Sequence, residues 1–182
     1  MILNLTTKLS SAYKVRKADK NDVSAVINML TGATEWLKEK GIDQWSYLHS
    51  GKENHEIEAA IVRGTTYVVE DIEERLIASF NLSPEKNNWD LQLWGNGTGN
   101  DNAVYLHRLV VAPDQHKKDI GKELMYWMIK NKDQKSGPLR LDCIGHNEVL
   151  NRFYQEAGFT YIGSHNMDGQ WFSKYQVLDN RT

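Results

Sequence analysis

Apolar positions first recur along this chain at helical spacing, at Val23, Val26, Ile27 and Leu30. Ahead of them, Tyr13–Arg16 reads as a short strand, and Asp19 and Asp22 stand like a helix cap and its third-position acid. Gly32 is expected to break this helix, with a second short helix over Glu35–Lys40 ended by Gly41. Glu56–Val62 is a further helix with Ile57, Ala60 and Ile61 inward. From Thr65 the period shortens. Thr65–Val69 and Leu76–Leu82 are rich in branched and aromatic residues around the polar turn Asp71–Glu74, which predicts an antiparallel hairpin. Ser83–Asn102 reads as a long polar connection with room for a strand around Leu91–Trp94.

Ala103–Val111 is a strong strand stopped at Ala112-Pro113. In the helix that follows, Ile120, Leu124, Trp127 and Met128 fall at i, i+4, i+7 and i+8. Leu139–Ile144 is the next strand. Glu148–Ala157 is a helix with Val149, Leu150, Phe153 and Ala157 inward, closed by Gly158, and Phe159–Gly163 and Trp171–Leu178 are the last strands. The order predicts a mixed, mostly antiparallel α/β sheet flanked by helices.

Composition narrows the class. The 182 residues, 40% hydrophobic and 25% charged with three prolines, suit one domain over 1–182, with 1–12 as a loose leader. With 22 basic against 24 acidic residues the net charge is −2, which offers no general field for nucleic acid or membrane. Cys143 is the only cysteine, so no disulfide framework exists, which fits a reducing cytoplasm. No apolar run has the length to span a bilayer. No spaced His/Cys/Asp cluster suggests a metal.

Two stretches carry chemistry. In Leu106–Leu124 a strand ends at a proline, a basic loop follows, and a helix starts near Ile120-Gly121. Free N–H groups and the positive dipole end at a helix start favour an anion, and Lys117, Lys118 and Lys122 add charge for a pyrophosphate. A solvated basic turn before a core helix has the same pattern. In Asn147–Phe159, Asn147 caps a helix and Tyr154 follows two turns later on the same face, which also suits an amphipathic core position.

Together the two stretches resemble the GCN5-related N-acetyltransferase superfamily. Its phosphate loop, Arg/Gln-x-x-Gly-x-Gly/Ala, matches His116, Lys117, Lys118, Asp119, Ile120 and Gly121, after the strand Leu109-Val110-Val111-Ala112-Pro113. Its later motif matches Asn147, Leu150, Phe153, Tyr154, Gly158 and Phe159. His116 stands for the usual arginine or glutamine, Asp119 for the first glycine and Leu150 for alanine.

The resemblance implies acetyl-CoA as co-substrate and direct attack by a primary amine. By that resemblance the cofactor-binding residues are Leu109, Val110, Val111, His116–Lys122 and Asn147, with backbone N–H of Val110 or Val111 polarising the thioester carbonyl and Tyr154 serving the leaving thiolate. His107 is a candidate base provided no bulge turns it from the face of Tyr105 and Leu109; Glu70 is a second. Trp36 and Trp45, with Trp89 or Trp94, either line the acceptor site or pack helices on the sheet. Cys143 reads as a buried structural thiol rather than a nucleophile. The expected partner is a small-molecule amine, with a homodimer left open. Alternatives are a non-catalytic acyl-CoA-binding or regulatory module, to which Asp119 points, and a protein N-acetyltransferase.

Overall fold

Asp19 and Asp22 form a reciprocal capping box: the Asp19 side chain accepts from Asn21 N–H, and Asp22 accepts from Asp19 N–H. In the computed structural model, which describes residues 8–42, 45, 48, 50–95, 102–116, 118–133 and 135–177, this box opens a short 3₁₀ turn that runs straight into a helix. The elements are β1 (Lys14–Lys17), α1 (Val23–Glu39), α2 (Asn54–Val62), β2 (Thr66–Glu70), β3 (Leu76–Ser83), α3 (Asn88–Trp94), β4 (Val104–Val111), α4 (Ile120–Asn131), β5 (Leu139–Ile144), α5 (Glu148–Glu156), β6 (Thr160–Met167) and β7 (Gln170–Val177).

The described residues form two compact units. The first takes 8–82 and 108–124, the second 83–107 and 125–177, so β4 and α4 each contribute to both. In the first unit β1, β2 and β3 pair antiparallel in that order. Val26, Leu30 and Ala33 of α1 and Ile57 and Ile61 of α2 close a core with Val68 of β2 and Val110 of β4. In the second unit the order is β4-β5-β7-β6. β4 runs parallel to β5 at Val104 and Tyr105, and the other pairs there are antiparallel. The expected class, a mixed and mostly antiparallel sheet with helices, is the observed one.

Three local expectations are corrected. Helix α1 runs unbroken through Gly32, because Val26, Leu30, Ala33 and Thr34 bury one continuous stripe. Leu91–Trp94 is helix and not strand, since Asn87 and Asp90 form a second capping box. Val149 points outward at 77% exposure, and Tyr154 is the buried residue of α5. Of the leader expected over 1–12, residues 1–7 lie outside the described residues; Lys8 is bridged to Lys14. Among the described residues no helix is long and apolar enough to cross a membrane.

Candidate active site

In the first unit, β4 reaches the basic loop through an irregular backbone. Arg108 has φ +50°, a left-handed conformation inside a strand, and its guanidinium donates to Glu53 at 2.8 Å. Such conformations are costly for a side-chain-bearing residue and mark bulges and functional sites. Leu109 is half-buried, Val110 inserts into the core, and the Val111 carbonyl oxygen lies 3.1 Å from His116 Nε2. A carbonyl only accepts, so Nε2 carries the hydrogen of this bond. Trp36 packs edge-on against His116 with centroids 4.7 Å apart, and Trp45 packs on the core cluster. Both tryptophans therefore have packing roles in this unit.

Lys118 donates to Gln115 Oε1 at 2.9 Å. Asp119 is exposed, with φ +56°. Its carbonyl accepts from Glu123 N–H at 2.9 Å, while its carboxylate takes no hydrogen bond among the described residues. Asp119 thus adopts the backbone turn that glycine would supply, and aspartate is among the few residues that tolerate it. Ile120 is buried, and Gly121 and Lys122 occupy the first turn of α4. A left-handed residue leading into a helix start, with a lysine on each side of it, fits an anion such as a pyrophosphate. Lys117, assigned to the same loop, lies outside the described residues.

The second unit holds the groups suited to proton transfer. Asn147 Oδ1 accepts from Leu150 N–H at 3.1 Å, the cap expected of it. Asn151, which the sequence did not single out, braces the same turn: Nδ2 donates to Asn147 O at 2.8 Å and Oδ1 accepts from the Tyr175 hydroxyl at 2.7 Å. Tyr154 is 8% exposed, ringed by Phe153, Phe159 and Tyr175. Its hydroxyl makes no hydrogen bond among the described residues. Burial, reinforced by Cys143 and Asp142, pushes its ionisation well above that of an ordinary phenol, so it stays protonated.

His107, the last residue of β4 in this unit, precedes the irregularity at Arg108. Its Nε2 lies 3.1 Å from Oδ2 of Asp90, whose side chain is 1% exposed. That N–H is not aligned on the oxygen, and both His107 Nε2 and Asp90 Oδ1 are buried without a hydrogen bond. On β5, Asp142 accepts from Trp89 Nε1 at 3.2 Å. Burial pushes the Asp142 carboxyl up to about 6, opposed by His107 and the Trp89 hydrogen bond and assisted by the Asp90 charge. After burial and Cys143, the Asp142 charge also helps to raise the Tyr154 phenol.

Asp90 and Asp142 were missed by the sequence reading. The Asn87-x-x-Asp90 spacing was the available signal for the first, and an acid among Leu141, Cys143 and Ile144 for the second. Glu70 pairs with Arg16 at 2.6 Å, which leaves it poorly placed as a base. The Cys143 thiol is buried and pushed up to about 12 by burial and then by Asp142, as an inert thiol would be. Among the described residues no group of three or more His, Cys, Asp or Glu is arranged to hold a metal ion.

A model of the acetyltransferase (GNAT) family matches residues 30–159, which takes in residues of both units. An uncharacterized N-acetyltransferase of Bacillus subtilis (strain 168), YesJ, is 31% identical over 144 residues, covering 79% of this chain and 79% of YesJ. The crystal structure of a GNAT-family acetyltransferase from Listeria monocytogenes 4b F2365 aligns with TM-score 0.76 at 29% identity, over 93% of this chain and 98% of that one. RimL, a ribosomal L7/L12 alpha-N-protein acetyltransferase solved with coenzyme A, aligns with TM-score 0.65 at 14% identity, over 95% and 98% of the two chains, a likeness of fold alone.

Proposed function

The chain belongs to the acetyltransferase (GNAT) family, and on that premise we propose that it transfers an acetyl group from acetyl-CoA to the primary amine of a small molecule, with His107 as base and Tyr154 as acid. The observation that supports this reading is the His107 imidazole 3.1 Å from the buried Asp90 carboxylate, in the same unit as the buried phenol of Tyr154. Acetyl-CoA supplies the acetyl group as a thioester. The helix start at Asp119, Ile120 and Gly121, with Lys117, Lys118 and Lys122, binds its phosphates. Leu109 and the backbone N–H of Val110 or Val111 serve the acyl end, where a fixed donor stabilises charge on the carbonyl oxygen. Asn147 holds the start of the helix that carries Tyr154.

His107 takes a proton from the ammonium, and the neutral amine attacks the thioester carbon. As the C–S bond breaks, Tyr154 protonates the thiolate, and a second proton leaves the nitrogen to restore the phenol. The carboxylates of Asp90 and Asp142 favour an acceptor that arrives as a cation. The test is a panel of polyamines, amino acids, aminoglycosides and peptides offered with acetyl-CoA, read as thiol released. Turnover on a small amine is expected. Turnover on peptide amino termini alone would move the substrate class to proteins, and acetyl-CoA binding without any turnover would make the chain a binding module.

A further inference from the structure

The second unit keeps two buried polar atoms without hydrogen bonds, His107 Nε2 and Asp90 Oδ1, and Nε2 lies 3.1 Å from the other Asp90 oxygen, Oδ2. Natural proteins rarely leave such atoms unpaired, and those that persist call for a reason. Asp90 has little freedom. Its Oδ2 accepts from Asn87 N–H at 3.1 Å while its own N–H donates to Asn87 Oδ1 at 2.8 Å, so the start of α3 fixes the carboxylate. β5 contributes Asp142, held by Trp89, whose ring in turn packs edge-on against Phe172 with centroids 4.8 Å apart. β7 contributes Lys174, the register partner of Asp142; its ammonium turns to the Leu93 carbonyl at 3.3 Å and to the ring of Trp94. α5 contributes the phenol of Tyr154, which Asp142 also influences.

We propose that Asp90 is a positioning residue for His107, holding the imidazole with Nε2–H toward the carboxylate so that Nδ1 is the basic nitrogen. The inference rests on His107 being the base. A carboxylate beside one ring nitrogen selects the tautomer that donates to it, and it stabilises the imidazolium formed when the other nitrogen takes a proton. At 3.1 Å the two groups are within hydrogen-bonding reach. Asp142, on the neighbouring strand, supplies the second counter-charge.

Two measurements test this. In the free wild-type protein, ¹⁵N chemical shifts of the His107 ring, recorded where it is neutral, should show Nε2 protonated and Nδ1 bare. Asp90→Asn keeps an oxygen for Asn87 N–H, so the cap survives while the charge and the tautomer preference are lost. It should populate both tautomers and lower kcat about 10- to 100-fold, with KM for the best amine of the panel within about twofold. An Nδ1–H tautomer in the wild type overturns the inference without any variant. If His107→Gln is inactive but folded Asp90→Asn turns over at the wild-type rate, the inference fails and the base assignment stands. If His107→Gln itself keeps wild-type turnover, both fall.

Discussion

Removing one oxygen atom, in Tyr154→Phe, separates a catalytic tyrosine from a core one. The ring sits among Phe153, Phe159 and Tyr175 at centroid distances of 5.2, 6.2 and 5.8 Å, and phenylalanine keeps each of these contacts. The hydroxyl makes no hydrogen bond among the described residues, so its loss leaves no partner stranded. A hydroxyl that bonds no other described residue contributes little to folding, so the variant should match the wild type to within about 1 kcal/mol. For a chain of this size that is a change in Tm of no more than about 4 °C. Activity should change far more. Burial keeps the phenol protonated through neutral and mildly alkaline pH, available as a donor when thiolate charge develops. Losing it should lower kcat about 10- to 1000-fold, equivalent to about 1.4–4 kcal/mol in the transition state. KM for acetyl-CoA should stay within about twofold, because ground-state binding is untouched. Steady-state thiol release, thermal melts and calorimetry with CoA read the three quantities. A folded variant with wild-type kcat would refute the acid assignment, and a Tm several degrees lower would show that the hydroxyl has a structural partner.

Asp142 has a raised carboxyl, so its ionisation opposes folding: the stability it contributes is complete below the ordinary aspartate range and is lost as pH rises through about 6. Asp142→Asn keeps an acceptor for Trp89 and should therefore stabilise the protein at pH 8, by up to on the order of 3 kcal/mol, but not at pH 3.5, as urea melts at the two values would show. Asp119→Gly suits a φ of +56° better and removes a carboxylate from the helix start. Relief of backbone strain and loss of a favourable dipole contact nearly cancel, to within about 0.5 kcal/mol, whereas CoA should bind about 3- to 10-fold tighter by calorimetry; weaker binding would mean the carboxylate helps to hold the loop. At Gly145 a Cβ would meet the Trp171 carbonyl oxygen at 3.0 Å, beside the hydrogen bond from Gly145 N–H to that oxygen. Gly145→Ala should cost about 1–3 kcal/mol, and an unchanged unfolding midpoint would show that the strand end shifts freely.

Periodicity makes most elements legible in the sequence. Strand β5 has the expected bounds, and Ile120, Leu124, Trp127 and Met128 are buried as their spacing required. The failures were local contests. Glycine at position 32 signalled a stop, but nothing lies within 4 Å of where its Cβ would be, and the buried stripe on either side carries the helix through. The Asn87–Asp90 capping box has the pattern that was read correctly at Asp19–Asp22, yet the apolar Leu91–Trp94 run drew the reading toward a strand. Tyr154 and His107, the proposed acid and base, stand in local contexts that the sequence displays. Asp90 and Asp142 do not, because 51 residues of chain lie between them and only the fold brings both into the unit that holds His107. The left-handed turn at Asp119 was invisible for another reason: the residue there is one that disguises a glycine position.

The most direct test of acetyl transfer follows the acetyl group itself. Acetyl-CoA deuterated in the acetyl methyl is incubated with the protein and the amine panel, and mass spectrometry locates the label. Label on the nitrogen of a small amine, formed by the wild type and strongly reduced in both Tyr154→Phe and His107→Gln, is the expected result. Label recovered only as free acetate, or bound to the protein itself, would contradict direct transfer to a small amine.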